Sequence, residues 1–144
     1  MVELMVILVI LGVLMGIAIP FFLASRTRAQ DRQAQSTLRT SLVAALTHFT
    51  STDTFDGFGD SCTAAVDSCA TAQMAEPSVS WVGPGAPGLL QVSIVVASGG
   101  DLLMVSQSST GTFFCEAQQA GGTFRGRSSA FSGVDTIAEC SGDW

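Results

Sequence analysis

Residues 4–24, LMVILVILGVLMGIAIPFFLA, form an uninterrupted run of 21 residues without a charged side chain. A helix needs about 20 apolar residues to cross the hydrocarbon core of a bilayer. No soluble fold of this size can bury such a segment on all sides, so it belongs in lipid or among other subunits. What remains of the 144-residue chain is about 120 residues, enough for one modest core and too few for two.

The helical pattern does not stop with the oily run. Ala34, Leu38, Leu42, Ala45, Leu46 and Phe49 recur at steps of three and four, while Arg32, Gln35 and Arg39 fall off that stripe. The spacing predicts one helix from Val2 to Phe49, oily all round at first and amphipathic afterwards. About 50 residues of helix would be roughly 75 Å long. Pro20 is the expected fault in this rod, because it removes a backbone hydrogen bond and crowds the preceding turn. Gly12, Gly16 and Pro20 recur every fourth residue. The two glycines cost about 1 kcal/mol each relative to alanine and offer a small-residue face for close helix approach.

Beyond the helix, STDTFDGFGDSC opens an irregular connector that is expected to run to Gly88, with Trp81 in it. Phe55 and Phe58 are expected to cover a core edge. Strands are expected at 89–97 and 102–107, joined by the turn SGGD, then at GTFFCEA and GTFRGRS. The tail SGVDTIAECSGDW reads as a turn region pinned by Cys140, with Trp144 a loop aromatic that either folds back or meets another subunit. The expected fold class is α+β: a long N-terminal helix packed against a small antiparallel β-sheet. The chain divides into three segments, an apolar helix at 1–24, its amphipathic continuation at 25–52 and a β-rich head at 53–144.

Charge is divided along the chain. Arg26, Arg28, Arg32 and Arg39 against Asp31 make the segment after the oily run net +3, whereas ten Asp and Glu against Arg125 and Arg127 make the remainder net −8. The basic segment suits an anionic headgroup surface and sets topology. Contact with acidic surfaces of neighbouring subunits is the alternative. The acidic head is a poor nonspecific binder of nucleic acid. Cys62, Cys69, Cys115 and Cys140 all lie in the head. An even set beyond an apolar anchor reads as two disulfides in an oxidising compartment. Of the three pairings, Cys62–Cys69 with Cys115–Cys140 is favoured because it closes the shorter loops.

Glu3 is the one carboxylate at the front of the oily segment. It suits the positive end of a helix in water or headgroups. In an apolar environment a carboxylate is costly unless paired, and a free α-amine of its own or a neighbouring subunit is the nearest candidate. The stretch VELMVILVILGVLMGIAIPFF closely resembles the N-terminal segment of type IV pilins and pseudopilins. The family's mature segment typically reads Phe-Thr-Leu-Val-Glu-Leu before an aliphatic run with glycines and a proline. Val2, Glu3 and Leu4 match the end of that opening; Gly12, Gly16, Ala18, Ile19 and Pro20 match the aliphatic run behind it. Met1 stands where the family has Leu, so the chain reads as a mature-like form short of its first two residues. The resemblance covers residues 1–25. It implies a leader removed by a prepilin peptidase, N-methylation, storage in the inner membrane, and extraction by an assembly machinery into a helical homopolymer on the cell surface. It implies that Glu3 neutralises the terminal amine of an adjacent subunit and that the Gly12, Gly16, Pro20 segment loses helix in the fibre.

Other features carry weaker chemistry. Asp53, Asp56 and Asp60 share a glycine-containing loop that could hold calcium, but their spacing misses the EF-hand pattern and a solvated acidic turn is expected. Arg125 and Arg127 share a strand face and are expected to be solvated, with a phosphate or a neighbouring subunit as alternatives. His48 has no base-and-orienter companions in sequence, and neither a phosphate loop nor a C-x-x-C pair occurs. The sequence therefore points away from an enzyme, and no cofactor or metal is expected. The expected role is a structural subunit of a type IV pilus. The rivals are a pseudopilin or minor pilin of a secretion or DNA-uptake machine, and a monomeric membrane-anchored binding domain.

Overall fold

The computed structural model describes residues 2–63, 65–96 and 100–144. Helix α1, Val2–Thr52, is a single element containing Pro20. It ends where Asp53 turns left-handed, at φ 59°, with its N–H still donating to the Phe49 carbonyl at 2.7 Å. The expected fault at Pro20 does not break the helix. One missing N–H costs one bond, whereas leaving the helix would strand several backbone groups on a segment with nothing else to bond.

Five strands come after it in one sheet of order β1-β2-β3-β4-β5: Ser80–Val82, Gln91–Val96, Leu102–Gln107, Phe113–Gln119 and Gly122–Ser128. From β2 to β5 the sheet is an antiparallel meander. The α+β class with a long helix on a small antiparallel sheet is thus borne out, with a short parallel edge strand, β1, added beside β2.

The differences from expectation have physical causes. The connector expected to be irregular contains a one-turn helix, α2, at Ala70–Ala75 as well as β1. Trp81 is no loop residue: it is fully buried in β1, donates its indole N–H to the Glu76 carbonyl at 3.0 Å and meets Phe58 edge-on. The strand expected from 89 starts at Gln91, because Leu90 takes φ 60° and cannot extend. The end of that expected strand, Ala97, and the first two residues of the SGGD turn lie outside the described residues, as does Met1.

The sheet is covered on both faces. Towards α1, Val92, Ile94, Leu102, Met104 and Phe114 pack with Ala34, Leu38 and Leu42, and with Phe58 and Trp81. On the far face, Leu103, Val105, Cys115 and Ala117 pack with Val134, Ile137 and Cys140 of the C-terminal segment. Leu46, expected on the buried stripe, is 37% exposed. Ser41 and Ala44, beside the stripe, are buried as well. The Cys62–Cys69 bridge closes a loop along the free edge of β1, where Asp67 N–H donates to the Trp81 carbonyl and Gly83 N–H to the Thr63 carbonyl, both at 2.6 Å. A Cβ on Gly83 would lie 2.7 Å from that Thr63 oxygen, so the close approach requires glycine. The Cys115–Cys140 bridge pins the C-terminal segment to β4.

Candidate functional site

The most unusual surface is the first half of α1. Every described residue up to Ala29 is exposed, and no large apolar side chain from Val2 to Leu23 is less than 45% exposed. Among the described residues this is the one helix long and apolar enough to cross a membrane. Glu3 lies in its first turn. Gly12 and Gly16 have no packing role within the subunit: a Cβ added at either would meet nothing within 4 Å. Their helix-propensity cost is therefore not offset inside the folded chain. Glu3, Gly12, Gly16 and Pro20 are all displayed on this bare rod rather than gathered into a pocket.

The head is braced onto the rear half of α1 by groups far apart in sequence. Asp31 accepts hydrogen bonds from the Ser108 hydroxyl at 2.7 Å and the Thr110 hydroxyl at 2.6 Å, tying the β3–β4 turn to the helix where head contact begins. A second brace joins β4, β5, α1 and the C-terminal segment. Glu116 is fully buried, and its Oε1 accepts from Arg125 Nε at 2.9 Å and from the terminal guanidinium nitrogen at 2.8 Å. Two guanidinium groups lie over the Trp144 ring, Arg125 at 5.2 Å and Arg39 at 5.4 Å from its centroid. Its indole N–H donates to the Cys115 carbonyl at 3.1 Å, and Phe114 meets it at 6.0 Å. Cation–π contacts of this kind contribute about 0.5–1 kcal/mol each at partly exposed sites. Arg125, though exposed, is therefore ion-paired rather than simply solvated as expected from sequence. Arg127, one step along the same face, has no acidic partner within the described residues.

The aspartates of the acidic loop are not gathered around one point. Among the described residues no group of three or more His, Cys, Asp or Glu side chains is close enough to hold an ion. Asp53 and Asp56 instead line, with Asp101, Leu46, Phe49 and Phe55, a groove of about 420 Å³ beyond the end of α1. Asp60 faces a separate, shallower depression. His48 is half-buried, with Nε2 at 3.1 Å from the Asp56 carbonyl and its ring against Phe58. Phe55 and Phe58 are buried in the core, as expected.

Among the described residues, Glu76 is the titratable group whose surroundings shift it from its ordinary value. The Ser78 hydroxyl, then the Ser78 N–H, donate to its carboxylate and lower its pKa below the ordinary glutamate value. Comparison of the chain with protein-family models, curated proteins and solved structures found no match. The chain is thus a disulfide-braced α+β head on a helix whose free half has the length and apolarity of a membrane span.

The Glu116–Arg125 pair was missed by sequence reasoning, yet a signal for it exists. Gln119 pairs with Gly122 at the hairpin turn, and counting outward from there places Glu116 opposite Arg125. The Asp31 brace has no comparable signal, since its partners are 77 and 79 residues away.

Proposed function

We propose that the chain is a structural subunit of a type IV pilus, polymerising through its N-terminal helix into a surface filament. The observation that supports this reading is the bare rod: a continuous apolar helix, unpartnered up to Ala29, with Glu3 as its sole charge before Arg26 and glycines that serve no internal contact. Such a segment suits two environments in turn. In the inner membrane its apolar side chains face lipid. In a filament the same side chains face copies of themselves, so hydrophobicity hardly distinguishes the two states, and packing and polar groups decide between them.

Glu3 is the polar group placed to decide. Leaving the headgroup region for a helix bundle costs a carboxylate its solvation unless a cation meets it, and the terminal amine of an adjacent subunit provides one. Gly12 and Gly16 let helices approach, and Pro20 marks where the helix opens once neighbours surround it. A prepilin peptidase, the membrane lipid and the pilus assembly machinery are the partners of this cycle.

Mass spectrometry of the fraction sheared from cells tests the reading, beside a Glu3→Ala strain. An abundant chain with a methylated α-amine in that fraction, strongly reduced by Glu3→Ala while the head stays folded, is the expected result. A processed terminus found only in membranes would identify a pseudopilin or minor pilin instead. An unmethylated chain that never sheds would make it an anchored monomeric domain.

A further inference from the structure

The charges of this molecule are sorted along its long axis. Arg26, Arg28 and Arg32 ring α1 just below and at the level where the head begins, and all three are exposed. At the opposite end, Asp53, Asp56 and Asp101 rim the groove floored by Leu46, Phe49 and Phe55. The two sets do not meet within the chain: Arg125–Glu116 is the only ion pair among the described residues. The arginine ring and the aspartate rim are therefore complementary surfaces left unused by one copy.

We propose that the aspartate-rimmed groove receives the arginine ring of a second, parallel copy displaced along the helix axis by about 25 residues, or about 37 Å. The proposal rests on the filament reading above and names the contact that would set its longer repeat. Three things coincide at this stagger. Arg28 of the displaced copy comes level with Asp53. Glu3 of that copy comes level with Arg28 of the first, and a carboxylate with two oxygens accepts from a guanidinium as well as from an amine. Its apolar segment, 4–24, runs beside residues 29–49, where Val43 is 63% exposed. With no displacement, arginines face arginines and aspartates face aspartates, so the same charges oppose an in-register pair. The contact joins two different surfaces, so it repeats without closing, as a fibre requires.

The experiment compares sheared filament yield from cells making the wild-type chain, a rim variant (Asp53→Asn with Asp56→Arg), a ring variant (Arg28→Glu with Arg32→Glu) and the four-fold combination. Asn tolerates the left-handed backbone at position 53, and circular dichroism with intact disulfides checks that each head folds. Each paired variant is expected to lower yield about ten-fold, and the combination to recover it to within about three-fold, because exchanged charges still attract. A second measurement is geometric: Arg28→Cys with Asp56→Cys is expected to give an oxidant-dependent ladder of covalent multimers from filaments, absent from either single variant. Normal yield from the rim variant overturns the proposal, as does failure of the combination to recover. A defect confined to the ring variant also overturns it, assigning the arginines to lipid headgroups. If the wild-type chain makes no filament, the pilus reading itself fails, which is a different result from wild-type filaments that ignore the charge exchange.

Discussion

Replacing Cys115 and Cys140 together by alanine removes the longer of the two bridges, and the cost can be worked from the loops. The bridges span sequence separations of 25 and 7 residues. The chain-entropy relation assigns about 3.5 kcal/mol to the first and about 2.3 kcal/mol to the second at 25 °C. The longer bridge also holds Val134 and Ile137 over the far face of the sheet, so local packing adds to its cost. The shorter one secures two backbone hydrogen bonds at the β1 edge, which a loose loop can still form. The Cys115/Cys140 double variant is therefore expected to lose at least about 1 kcal/mol more than a Cys62/Cys69 double variant. Urea titration of the full chain in detergent, followed by tryptophan fluorescence, reads both, since Trp81 and Trp144 sit on the helix side of the sheet. The slope of the unfolding free energy should steepen in both variants as the unfolded chain expands. Equal costs, or a larger cost for the seven-residue loop, would refute the loop-entropy argument.

Other perturbations act on named contacts. Arg125→Ala leaves Glu116 buried without its cation and removes one of the two guanidinium contacts of Trp144; because Arg125 is 43% exposed, we expect about 1–3 kcal/mol rather than the full cost of a buried pair, with a shift in Trp144 emission. Asp31→Ala deprives two hydroxyls of their acceptor and is expected to cost about 1–2 kcal/mol, read as faster hydrogen exchange in the β3–β4 turn with the strand centres unchanged. The lowered pKa of Glu76 contributes stability that is present above the unfolded glutamate value and is lost as pH falls through the folded one. Ser78→Ala should therefore lower the melting temperature at neutral pH more than in acid, where Glu76 is protonated and the contribution is already lost, so that the acid limb of the profile flattens. An unchanged acid limb would count against the Ser78 contacts.

The sequence revealed the fold where patterns were long or turns explicit. The helix, β3 and β5 appeared with nearly their final bounds, because helical spacing ran over many turns and glycine pairs marked the hairpins. α2 and β1 were hidden because six and three residues carry no period that can be distinguished from a loop. Trp81 was misplaced for the same reason: without β1 there was no strand to bury it. The bare rod and its Glu3, Gly12, Gly16 and Pro20 were legible because they are contiguous. The Asp31 brace and the aspartate-rimmed groove were not, since each is assembled from segments brought together only by the sheet.

The placement of Trp144 constrains the order in which the molecule can be made. Its ring rests against Arg39 from an early part of the chain and Arg125 from a late one, while Cys140 closes the far layer onto β4. A helix that leaves the ribosome before the sheet must therefore wait, with its sheet-facing stripe uncovered, for residues synthesised roughly a hundred positions later. Such long-range closure slows folding and leaves apolar strands open to wrong partners in the interval. An apolar N-terminal helix that enters a membrane early would hold the unfinished head near a surface, away from other nascent chains, until its last bridge and its final aromatic residue lock it shut.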